Sequence, residues 1–158
     1  MKKVFISYAS EDRAYAQALI GHFAILRRTG TIDTWYDQEL KAGAAWDTTI
    51  RAELKAADII LLLLSPDFLN SEYIWDVELS EAITRRDAED TRVVPIIVRP
   101  CGWRDLKDVS ELQIPRQGDP IALAPNEDEA WTEVVSDLKN VIEGTPLAAI
   151  DARIATGN

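Results

Sequence analysis

The chain has 158 residues, 47% hydrophobic and 28% charged, a length and balance that suit one soluble globular domain with a single core. A net charge of −10 argues against a phosphate backbone as partner. No apolar run approaches the roughly 20 residues of a membrane helix. The lone cysteine, Cys101, and an N-terminus without a signal-peptide pattern point to the cytoplasm.

Strand-like and helix-like segments alternate along the chain. Val4 to Tyr8 reads as a first strand. Ser10-Glu11-Asp12 follows as a helix start, with Ser10 the candidate N-cap. Tyr15, Leu19, Phe23 and Leu26 then form an amphipathic stripe, which Gly30 ends. Thr31 to Tyr36 reads as a second strand. Asp37 to Trp46 reads as a long loop, and Thr48 to Ala57 as a short helix. Ile59 to Leu64 is wholly apolar, as in a strand covered on both faces. Ser71 to Arg86 predicts a helix, Val93 to Val98 a strand, and Cys101 to Asp119 irregular chain. Ile121 to Leu123 is expected as an edge strand, and Glu127 to Ile142 as the last helix. The expected domain is residues 1–143, with 144–158 a tail or the start of a linker to a further domain. Alternating strands and helices argue for a parallel sheet covered on both faces, with ligands at the carboxyl ends of its strands.

The residues at those ends resemble the boxes of bacterial TIR (Toll/interleukin-1 receptor) domains. The resemblance is carried by Phe5-Ile6-Ser7-Tyr8 with Ser10-Glu11-Asp12, and by Trp35-Tyr36-Asp37 with Gly43 and Trp46. It continues in Leu64-Ser65-Pro66-Asp67-Phe68-Leu69, Ser71-Glu72-Tyr73 with Glu78-Leu79, Pro100-Cys101 with Trp103, and Ala130-Trp131. It implies a flavodoxin-like three-layer α/β fold with a five-stranded parallel sheet in order 2-1-3-4-5. It also implies one of two kinds of work. The first is an NAD+ glycohydrolase that releases nicotinamide and ADP-ribose or a cyclic ADP-ribose isomer, activated by self-assembly, in a setting such as anti-phage defence. The second is a non-enzymatic interaction module in signalling or virulence. NAD+ is a substrate in the first, and no cofactor is expected.

Glu78 matches the position of the family's catalytic glutamate; on residue type alone it is an exposed helical acid. Tyr8 either stacks on a substrate ring or packs at the strand end. Ser7 is placed to donate to a ribose or phosphate. Ser10, at a helix start, is a phosphate candidate, with Arg13 the nearest cation. Trp35 and Tyr36 are placed to cover the substrate, Trp35 otherwise belonging to the core, and Asp37 either accepts from a ribose hydroxyl or caps the turn. Lys41 and Trp46, on or near the second loop, serve either the substrate or contacts between TIR domains. Ser65 either lines the pocket or ends its strand. Trp75 either walls the pocket or packs in the core. His22, the only histidine, has no partner histidine, so a metal site is not expected. Neither GxGxxG nor GxxxxGK[ST] occurs. A sensor or effector domain, on this or another chain, is the further expected partner.

Overall fold

In the computed structural model the chain is described over residues 2–40, 48–71 and 91–144. Strand β1 (Lys2–Ala9) leads through a 3-10 turn (Ser10–Asp12) into α1 (Arg13–His22) and α2 (Ala24–Arg28). β2 (Ile32–Leu40), α3 (Thr48–Ala56), β3 (Ile59–Leu64) and the single turn α4 (Pro66–Leu69) follow. After β4 (Arg92–Ile97) come a 3-10 turn (Trp103–Asp105), α5 (Lys107–Ser110), two further 3-10 turns (Pro115–Gly118 and Ile121–Leu123) and α6 (Glu127–Ile142).

The strands are parallel and ordered β2-β1-β3-β4. β3 is wholly buried because both of its faces are covered. On one face Val4, Ile6, Tyr8, Ile59, Leu61, Leu63, Val94 and Ile96 pack with Leu19, Phe23, Trp131, Val134 and Leu138 of the first and last helical regions. On the other, Phe5, Ala9, Ile60, Leu62, Leu64, Val93 and Ile97 pack with Leu54, Phe68, Trp103, Val109 and Ile114. Period-two alternation thus assigns neighbouring residues of β1 to opposite layers.

Three expectations are corrected. The sheet has four strands among the described residues, and the expected fifth, Ile121–Leu123, is a 3-10 turn. Pro120 precedes it, Ile121 alone is buried and Leu123 is 68% exposed, so three residues offer a single apolar anchor and not the face of a strand. A single bond from Ala122 N to Val98 O ties it to the chain just beyond β4. Second, β2 runs on to Leu40, because Asp37 to Leu40 continue the ladder beside Ile6 to Ala9. Third, the helix expected from Ser10 breaks twice, at the 3-10 turn and at Phe23. Ser10 is no N-cap: its hydroxyl donates to Glu11 Oε1 at 2.8 Å, and Ala9 holds the cap position. Gly30 does end the helical stretch. Its φ of 74° lets Thr31 N reach Leu26 O and its own N–H reach Arg27 O, a Schellman closure. The helix expected over Ser71–Arg86 falls almost wholly outside the described residues.

Candidate functional site

The carboxyl ends of β1, β3 and β4 converge on one cluster of charged side chains. Asp12, in the turn after β1, is fully buried. Its Oδ1 accepts from Arg99 Nε at 2.8 Å, and its Oδ2 accepts from Ser65 Oγ at 2.5 Å. Ser65 Oγ in turn accepts from Phe68 N at 3.1 Å and so caps α4. The other arm of Arg99 donates to Asp67, the second residue of α4. These bonds close a ring around the first turn of α4. The Arg99 hydrogen bond holds the Asp67 carboxyl below its ordinary range. The two carboxylates hold the guanidinium more firmly protonated still.

On the layer of α1, the Tyr8 hydroxyl donates to Asp37 Oδ1 at 3.2 Å. Burial, and then the nearby Asp37 carboxylate, push its ionisation up to about 12. Arg13 makes a two-pronged pair with Glu39, Nε to Oε2 at 2.8 Å and Nη2 to Oε1 at 2.6 Å. That pair raises the Arg13 pKa further. β2 therefore faces α1 with two carboxylates, each engaged by a residue of the β1–α1 segment.

Ser7 differs from both groups. It projects to the layer opposite Tyr8, beside Gln38 and Leu62 in register, and is fully buried. Its hydroxyl has no hydrogen-bond partner among the described residues. An unpaired buried hydroxyl costs on the order of 1–3 kcal/mol, a cost that any hydrogen bond made to it would offset.

The structure separates several residues that the sequence places together. Trp35 lies beside Val4, near the amino end of the sheet. It packs edge-on to Phe23 (5.7 Å between centroids, 71°), with the Arg27 guanidinium 5.2 Å from its ring, and so belongs to the core rather than to a lid. Asp37 is engaged by Tyr8, Arg13 by Glu39, and Ser10 by Glu11. Ser65 both ends its strand and holds Asp12. Tyr36 pairs with Phe5 in the β1–β2 ladder. Lys41, Trp46, Trp75 and Glu78 lie outside the described residues. Sequence reasoning missed Asp12 as a buried anchor, along with Arg99 and Asp67. One signal was available: a charge, Arg99, directly follows a wholly apolar strand at the ligand edge. A groove of about 230 Å³, lined by Thr91, Arg92, Glu111, Gln113 and Val141 among others, lies at the amino end of β4, remote from these groups.

A parallel sheet in this order, layered by helices and with polar side chains gathered at its carboxyl edge, defines a doubly wound α/β domain. The family model described as the TIR domain matches residues 4–135, and the chain belongs to that family. It is also 35% identical, over 139 residues, to the uncharacterized protein y4lF of Sinorhizobium fredii. The match covers 88% of this chain and 43% of that protein, so the chain spans less than half the length of its relative.

Proposed function

We propose that this TIR domain is an NAD+ glycohydrolase in which Glu78 is the catalytic residue. The observation that carries the reading is the buried Ser7 hydroxyl at the carboxyl edge, polar and without a protein partner among the described residues. A hydroxyl so placed suits a ribose or phosphate oxygen. The chemistry asks little else of the protein. Nicotinamide leaves its glycosidic bond as a neutral pyridine, its ring nitrogen taking the bonding electron pair and so quenching the positive charge. Positive charge then develops on the ribose, where one carboxylate stabilises it. Water adds to the anomeric carbon and loses a proton, giving ADP-ribose; attack by a group of the same molecule gives a cyclic isomer instead.

The domain works in the cytoplasm as a self-associating unit, with the residues that follow β2, including Lys41 and Trp46, at the contact between copies. Residues 1–143 form this unit, and a sensor or effector domain, as in anti-phage defence, lies elsewhere on the same or another chain. The test is nicotinamide release from NAD+ by concentrated or artificially clustered protein. Glu78→Ala is expected to abolish release with an unchanged circular dichroism spectrum; turnover at the wild-type rate in that variant would refute the assignment.

One observation favours the alternative of a non-enzymatic interaction module. Arg13 and Arg99 are already paired, Arg13 with Glu39 and Arg99 with Asp12 and Asp67, and the same edge also carries Glu11 and Asp37. That edge is poorly charged for a pyrophosphate. This reading predicts no nicotinamide release under any clustering, and loss of self-association on substitution of Lys41 or Trp46.

A further inference from the structure

Asp12 has no exposed surface, and its carboxylate meets two donors from distant segments, Ser65 and Arg99. Burying a charge in this way is not a route to stability, because an apolar set of the same shape commonly does as well or better. What a closed polar ring supplies instead is a single geometry. The bonds to Asp12 are buried, so moving its donors away breaks bonds that the interior cannot replace, while the Asp67 arm lies nearer the surface. Here the ring joins the chain leaving β1 (Asp12), leaving β3 (Ser65, Asp67) and leaving β4 (Arg99). Its centre is α4, whose Phe68 N–H it also holds through Ser65. α4 is where the chain sets out toward Glu78, nine residues beyond Leu69.

We infer that Asp12, Ser65, Asp67 and Arg99 are positioning residues that fix the origin of the segment bearing Glu78, so that the ring serves the reaction rather than the stability of the fold. The inference rests on the reading of Glu78 given above. Arg99 is the member to test, since its fork alone spans two carboxylates. Lysine keeps the charge and much of the length, but its ammonium is a point donor that cannot present two fixed N–H vectors to Asp12 and Asp67 at once. The Arg99 side chain is 30% exposed, so a small cation in solution can reach its place.

The experiment uses clustered protein and NAD+, with nicotinamide release and amide hydrogen exchange measured on the wild type, Arg99→Lys and Arg99→Ala. For Arg99→Lys the expected result is a fall in kcat of about a hundredfold, the scale set by misplacing a reacting group. KM and melting temperature stay close to wild type. Exchange quickens over residues 66–70 and nowhere in β1, β3 or β4. For Arg99→Ala, added millimolar guanidinium restores part of kcat. Wild-type kcat in Arg99→Lys overturns the inference, as does faster exchange throughout the sheet, which would make the ring an ordinary structural tie. Should the wild type release no nicotinamide, the reading of Glu78 fails by itself. Exchange then judges the ring: confinement of the change to residues 66–70 upholds its hold on α4, and unchanged exchange there refutes it.

Discussion

Replacing Tyr8 with phenylalanine tests the electrostatics of the β1–β2 layer directly. The Tyr8 side chain is 5% exposed and donates to Asp37, and its ionisation is raised from 10.0 to about 12. A raised folded-state value means that the native protein holds the phenolic proton where the unfolded chain has lost it. Stability from this group is therefore complete below pH 10 and declines as the pH climbs toward 12. At about 1.4 kcal/mol per unit, the full loss is about 2–3 kcal/mol. Tyr8→Phe removes both the hydrogen bond and the titration. Below pH 10 the variant is expected to be less stable than wild type by about 1.5–2 kcal/mol, the low end of the net value of a hydrogen bond to a charged acceptor, as suits a bond of 3.2 Å. Between 10 and 12 that gap should close and then reverse, because only the wild type has a phenol to ionise. Urea unfolding across this range, with tyrosinate absorbance followed in parallel, measures both effects. The difference in tyrosinate absorbance between the two proteins should show Tyr8 titrating late and together with unfolding. A constant gap between the two proteins from neutral pH to pH 12 would refute the reasoning.

Two packing predictions are independent of any activity. A Cβ on Gly118 would sit 2.3 Å from Trp103 Cζ2, at a φ of +85°, so Gly118→Ala should lower stability by about 2–4 kcal/mol in urea unfolding; a loss below the measurement error would show that Trp103 moves freely. Trp131 is fully buried with no hydrogen-bond partner for its indole nitrogen among the described residues. Trp131→Phe therefore trades lost volume for relief of an unpaired donor and should cost less than about 2 kcal/mol, against about 3–5 for Trp131→Ala; comparable losses for both variants would contradict this.

Much of the fold is legible in local pattern. β3 begins and ends where its apolar run does, and α6 spans Glu127–Ile142 as its apolar spacing requires, with Asn126 accepting from Glu129 N at its start. Boundaries set by partners are not legible this way. β2 gains Asp37 to Leu40 because β1 offers a ladder to pair with, which no pattern inside those four residues announces. The candidate site divides along the same line. The strand ends point to Ser7 and Tyr8, but only the layers show that the two face opposite ways, so one crevice cannot be built from both as adjacent walls.

Asp12 shows why the remainder was hidden. Read locally, it is one of three polar residues opening a helix, where a first-turn acid gains about 0.3–1 kcal/mol from the helix dipole. Such an acid stays in solvent, and replacing it is harmless. In the folded chain Asp12 has turned inward to Arg99, 87 residues away, and to Ser65. The larger effect decides the orientation. Two hydrogen bonds to the carboxylate, about 1.5–3 kcal/mol each and one of them from a cation, offset the cost of taking it out of water, so they fix its direction and add little net stability. The turn is then drawn in by its side chain, which is why a 3-10 segment, and not a capped α-helix, follows β1. The same exchange leaves the start of α1 without a side-chain cap, and the Ser10 hydroxyl donates to its neighbour Glu11. A phosphate at this edge would thus meet neither a capped helix start nor a free Arg13. If NAD+ binds here, its recognition rests more on Ser7 and on the segment bearing Glu78 than on the first turn after β1.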